Sequence, residues 1–147
     1  MHYEDTLTLG EARDRFFAVS GFTAASYFEP FNKVKVGPLP LVIPNPYMRQ
    51  RALPLHDLHH ILTGYPTDLR GESQICAWEI GSGGLGRYPI GWPYVLFGVV
   101  LGLLFWPREL VAAYRRGRQS RNLFNTEFSD RLLSKTVGEL RQELKIA

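Results

Sequence analysis

The stretch LHDLHHILTGYPTDLRGE, residues 55–72, decides how this chain folds. A helix over Leu55 to Leu62 puts His56 and His60 one turn apart on the same face. Two imidazoles at that separation can share one metal ion, as they do in helical H-E-x-x-H sites. Asp57 stands beside His56 and three positions before His60, at the edge of that face. Thr63-Gly64-Tyr65-Pro66-Thr67 then reads as a stop, a turn and a fresh start. Gly64 suits a left-handed cap, Pro66 cannot continue a helix, and Thr67 can cap the next one. Two antiparallel helices joined by so short a turn bring Glu72 back opposite the histidines. Two imidazoles and two carboxylates make a mixed nitrogen and oxygen site, suited to Zn, Fe or Mn and less to Mg. A solvated polar helix face is the competing reading, but three of the four histidines crowd into five residues. His59, off the direction of His60, reads as a supporting or surface residue.

Composition sets the frame. A chain of 147 residues fits one domain with a real core. Its formal charge of +3 demands no nucleic-acid partner. Cys76 is the lone cysteine, so no intramolecular disulfide forms, and its apolar neighbours make it a small buried residue. The N-terminal acids Glu4, Asp5, Glu11 and Asp14 fit neither a secretory signal nor an Arg-rich transit peptide. The expected address is a bacterial cytoplasm, peripheral at the inner membrane.

Around the motif, the periodicity of Leu9, Ala12, Phe16, Val19 and Thr23 predicts a helix from Thr8 to Tyr27, weakly interrupted by Gly21. Residues 30–46 carry five prolines, Pro38 among them, around Val34, Val36, Leu39, Leu41, Val42 and Ile43. Prolines exclude a long helix or a central strand, so an extended arm or short edge hairpin covering the motif helices is expected. Residues 47–80 form the metal-motif helix pair. The last helix, Leu132 to Ile146, presents Val137, Leu140 and Leu144 among charges and packs back on the core. The fold class is mostly α: a single compact helical domain, 1–147, with a metal-binding helix pair and a Pro-rich extended arm.

Ile90 to Trp106, IGWPYVLFGVVLGLLFW, has no charge and is about long enough to reach the lower edge of a membrane span. A buried core helix, a single span supported by Gly98-x-x-x-Gly102, and a membrane-docking or lipid-gripping helix all compete. The basic continuation, with Arg108, Arg115, Arg116, Arg118 and Arg121, favours docking on anionic headgroups, each cation contributing about 1 kcal/mol near the surface. Phe97, Val100, Leu101 and Leu104 are the candidate lipid contacts; Arg115, Arg116 and Arg118 are the candidate surface contacts.

The pattern H-D-x-x-H-x11-E, met by His56, Asp57, His60 and Glu72, resembles the signature of the Coq-four family of coenzyme Q (ubiquinone) biosynthesis. Tyr47-Met48-Arg49-Gln50-Arg51 before it is similar too, as are Ala113-Tyr114-Arg115-Arg116-Gly117-Arg118, Asn122-Leu123-Phe124 and Leu140-Arg141-Gln142-Glu143-Leu144. The glycine-rich residues 81–86 depart from that family's continuous helical passage. The resemblance covers roughly residues 45–147. It implies a peripheral protein that handles a polyprenylated hydroxybenzoate ring and replaces its C1 carboxylate by oxidative decarboxylation, with organisation of the biosynthetic complex as an additional role. The implied cofactor is a divalent metal, Zn favoured and Fe, Mn or Mg as alternatives, with Asp57 and Glu72 as ligands or general bases. The implied partners are a polyprenylated quinone precursor or other lipid and the membrane surface; other quinone-biosynthesis proteins and a second copy of the chain are left open.

Other chemistries fit less well. A zinc hydrolase normally has Glu where Asp57 stands, one methylene longer. An HD-type phosphohydrolase needs a separate upstream His, and only His2 is upstream. A non-enzymatic prenyl-lipid scaffold or carrier is the serious rival. Arg49, Arg51 and Arg70 could bind a carboxylate or phosphate, or simply solvate a surface.

Overall fold

The computed structural model describes residues 2–36 and 39–146, with the backbone alone for residues 34–36 and 39–41. Thr8 starts the first helix, α1 (Leu9–Ser20), through a capping box: its hydroxyl accepts from the Glu11 N–H while the Glu11 carboxylate accepts from the Thr8 N–H. Leu9, Ala12 and Phe16 are buried. The helix that periodicity predicts to run to Tyr27 stops at Ser20. Gly21 turns left-handed (φ 75°) and ends it, Ala24–Tyr27 form a separate 3-10 turn, and Val19 is left exposed.

The proline-rich arm is a hairpin of β1 (Phe31–Val36) and β2 (Leu39–Pro44), antiparallel in the register Phe31↔Pro44 and Lys33↔Val42. Both strands are edges, which is what Pro40 and Pro44 require. Pro38 falls outside the described residues.

Next come α2 (Tyr47–Thr63) and α3 (Leu69–Gly81). Gly64 ends α2 at φ 80°. Asp68, not Thr67, caps α3: its Oδ1 accepts from the Gly71 N–H at 2.7 Å. Leu55, Leu58, Ile61 and Leu62 of α2 and Ile75, Ala77 and Trp78 of α3 form the centre of the core.

The uncharged segment becomes α4 (Trp92–Phe105), and Pro107 opens α5 (Pro107–Arg118). Fourteen residues of α4 rise about 21 Å, short of a bilayer core of about 30 Å. No helix among the described residues is long and apolar enough to cross a membrane. Val95, Gly98 and Gly102 are its buried residues. A Cβ on Gly98 would come within 2.7 Å of Cys76 Sγ, and one on Gly102 within 2.5 Å of Leu110 Cδ1. The Gly-x-x-x-Gly spacing therefore lets α4 approach α3 and α5 of this same chain. Leu96, Phe97, Val100, Leu103, Leu104 and Phe105 are left 52–69% exposed.

The single terminal helix expected over Leu132 to Ile146 is two: α6 (Asp130–Leu133) and α7 (Val137–Glu143). Thr136 restarts the chain with a second capping box closed by Glu139. Val137, Leu140 and Leu144 are buried, as the amphipathic pattern requires. Arg141 of α7 ties this region to the end of α2, donating from Nε to Leu62 O (2.9 Å) and from Nη2 to Ile61 O (3.3 Å). Its Nη1 reaches Tyr3 O and Asp5 Oδ1, so one side chain joins three parts of the chain. Arg141→Met keeps the stem but removes these donors. We expect it to lower stability by about 2–3 kcal/mol in urea denaturation; an unchanged midpoint would mean the contacts add nothing.

Candidate metal centre

His56 and His60 stand four positions apart on α2, and α3 lies beside them with Glu72 and, two turns later, Glu79. The Nε2 atoms of the two histidines are 3.3 Å apart. Glu72 Oε2 is 3.5 Å from His56 Nε2, and Oε1 is 3.4 Å from His60 Nε2. Four-coordinate zinc, with ligand distances of about 2.0–2.1 Å, sets its donors about 3.3–3.4 Å apart, close to these three edges.

The other ring nitrogens explain why the Nε2 atoms face inward. His60 Nδ1–H donates to Tyr65 O at 3.0 Å. His56 Nδ1–H donates to Glu79 Oε1 at 2.8 Å. These partners assign the tautomers and leave both Nε2 lone pairs aimed at one point. Two lone pairs at that distance repel unless a proton or a cation lies between them. Among the described residues, His56, His60 and Glu72 are the group able to hold a metal ion, and their donor chemistry fits a borderline divalent cation.

Glu79 is fully buried and does double duty. Its Oε1 accepts from His59 Nδ1–H as well, at 2.8 Å, and His59 Nε2 accepts the Leu123 N–H at 2.9 Å. His59 is thus a buried support packed against Trp78 and Phe124, not a surface residue. Burial works against charge on Glu79, but His56 and His59 outweigh it and hold its carboxyl at about 2. Burial likewise opposes the His56 cation, and Glu79 with Glu72 reverses that, lifting it well above the usual imidazole value.

Asp57 is brought beside the cluster but not into it. Its Oδ2 accepts from the Tyr27 hydroxyl at 2.8 Å. Burial raises its carboxyl to about 6, against the pull of His56 and that hydrogen bond. The centre opens into a cavity of about 840 Å³ lined by His56, Asp57, Glu72, Cys76 and Glu79, by Arg49, Leu53, Asn32 and Lys33, and by Val95, Phe97 and Leu101. Two of the four candidate lipid contacts, Phe97 and Leu101, therefore face it, whereas Val100 and Leu104 lie outside its lining on the exposed side of α4. Arg116 lies partly inward, donating to Thr63 O and stacking on Tyr65; Arg115 and Arg118 are exposed. Arg70 pairs with Glu109, and Arg51 stacks on Tyr47.

Fold and site together define a helical protein with a His-His-Glu cluster at the floor of a largely apolar cavity. Residues 44–147 match the family model described as Coenzyme Q (ubiquinone) biosynthesis protein Coq4. The chain belongs to that family. It is 33% identical over 105 residues to the mitochondrial ubiquinone biosynthesis protein coq4 of Aspergillus fumigatus, covering 68% of this chain and 35% of that protein. The mitochondrial COQ4 of Coccidioides immitis is 32% identical over 104 residues, 68% of this chain and 35% of the relative. The chain thus spans about a third of the length of the curated relatives it matches. No solved structure matches it.

Proposed function

We propose that this chain is a metal-dependent protein of ubiquinone biosynthesis that acts on a polyprenylated hydroxybenzoate ring, exchanging its C1 carboxylate for a hydroxyl. Organisation of the biosynthetic complex is an additional role. The observation that carries this reading is the convergence of the His56, His60 and Glu72 donors at 3.3–3.5 Å beneath a ligand-sized cavity. His56, His60 and Glu72 would hold the ion, zinc being favoured by the two nitrogens and one oxygen. A divalent metal there supplies Lewis-acid polarisation of a ring oxygen or carboxylate. Glu79 and Tyr65 O orient the imidazoles, Asp57 would take a proton near the ring, and Val95, Phe97 and Leu101 of α4 supply apolar lining. In the net reaction the ring acid, dioxygen, two electrons and two protons give the hydroxylated ring, CO2 and one water, the dioxygen and the electrons being supplied from outside the chain. A strain lacking its own member of this family should accumulate the carboxylated precursor. Expression of this chain is expected to convert that pool to ubiquinone; an unchanged pool would refute the assignment.

The rival carrier reading draws on the exposed apolar face of α4, which we assign to membrane docking. Leu103 and Leu104 are both exposed on that face, and Arg115 and Arg118 follow on α5. Each buried leucine contributes about 1.5–3 kcal/mol and each cation about 1 kcal/mol. Leu103→Asp with Leu104→Asp is expected to reduce sedimentation with phosphatidylglycerol vesicles by more than about tenfold. Equal sedimentation of variant and wild type would remove α4 as the docking face.

A further inference from the structure

We propose that Arg49 anchors the carboxylate of an amphipathic aromatic acid in the cavity above the His56–His60–Glu72 cluster and so fixes which way the head of that molecule points. The inference rests on reading the cavity as the substrate site, and it assigns a residue outside the metal motif.

Arg49, Ala52, Leu53 and His56 recur at helical spacing along one face of α2, and all four line the cavity. Arg49 and His56 are two turns apart, about 10 Å along the axis. The guanidinium is held in place by neutral groups. Its Nη1 donates to Asn32 Oδ1 and to Asn45 Oδ1. Those two amides are themselves locked: Asn45 Nδ2 donates to Tyr27 O and Glu29 O, and Asn32 Nδ2 to Ser26 O. The Tyr94 ring lies 5.1 Å from the guanidinium carbon.

Among the described residues no carboxylate lies within ion-pair distance of Arg49, and none accepts a hydrogen bond from its Nε or Nη2. The Nε–Nη2 edge carries the two parallel N–H donors that match a carboxylate bidentately. Burial already works against the charge, pushing the guanidinium below its ordinary value. A fixed cation on the cavity wall, hydrogen-bonded only to neutral oxygens although it feels the Asp57 carboxylate at longer range, keeps a free donor edge for an incoming anion. Were Arg49 only a brace between hairpin and helix, its discrimination among ligands of equal shape would be nil.

The probes are 3-geranyl-4-hydroxybenzoate and 2-geranylphenol, which differ only by the carboxylate, titrated into the full chain by calorimetry with and without chelator. Wild type is expected to bind the acid at least about tenfold more tightly than the phenol, the value of one charged hydrogen-bonded pair. Arg49→Gln should lose that preference while keeping its affinity for the phenol and its metal content. Arg49→Lys, a point charge without the fork, should keep part of it. An undiminished preference in Arg49→Gln would overturn the proposal, as would wild type that binds both probes equally or neither. A preference abolished by chelator but indifferent to Arg49 places the carboxylate on the metal instead. Conversely, an Arg49-dependent preference in a protein that never binds metal leaves this inference standing and defeats the metal reading.

Discussion

Glu72→Gln is expected to weaken metal binding by more than about 100-fold and to abolish turnover while leaving the fold intact. Losses of about 10- to 100-fold are typical when only a supporting hydrogen bond to a ligand is removed; here a donor itself is neutralised. Both Glu72 oxygens serve the centre, one toward each Nε2. An amide keeps the shape but brings one N–H face to a nitrogen lone pair and removes the negative charge. With a side chain 40% exposed, Glu72 can take that change without burying an unsatisfied group. Isothermal titration with zinc and conversion of the prenylated acid are the measurements. A carrier would still bind the geranylated probes after this substitution, so full ubiquinone production by the variant would remove the catalytic-metal account.

The second large effect falls on Glu79. Glu79→Ala leaves the buried His59 and the partly buried His56 N–H groups without their acceptor, and breaking a buried charged network by deleting one partner costs about 3–5 kcal/mol. Glu79→Gln separates orientation from charge. Its oxygen can still receive the donors, but the lost charge should weaken zinc binding by about 10- to 100-fold. The pH behaviour follows from the depressed carboxyl. Because Glu79 titrates lower in the folded chain than when unfolded, its contribution is complete above the ordinary carboxylate range. It drains away as pH falls from there to about 2. Urea midpoints of wild type and Glu79→Gln should therefore converge in acid. Curves that stay parallel down to the lowest accessible pH would show that the carboxylate is not the stabilising group.

Within residues 55–72 the spacing signals agreed, although the cap of α3 and the place of Asp57 did not follow them. Helical spacing joined His56 to His60, Gly64 gave the cap, and a turn of that length had few ways to place Glu72. The caps were less secure. Thr67 and Asp68 are both good capping residues, and only the packing of Gly71 under Pro66 selects Asp68. Gly21 and the Ser134–Thr136 break each ended a helix that apolar periodicity alone would extend, since periodicity reports a face and not a terminus. Glu79 left a trace that could have been used: a carboxylate two turns after Glu72, set in the apolar run Ile75-Cys76-Ala77-Trp78. Tyr27 left none, for it meets Asp57 across thirty residues of turn and hairpin. The Gly98-x-x-x-Gly102 spacing suits a membrane dimer and an intramolecular crossing equally, and only the position of Cys76 and Leu110 separates them.

The most direct test is the metal content of the wild-type chain, purified without a metal-affinity tag and equilibrated in zinc-buffered solution, beside Glu72→Gln. Wild type should retain about one equivalent and the variant less than about a tenth of that. No metal in wild type, or the same amount in both, would contradict a centre built from His56, His60 and Glu72.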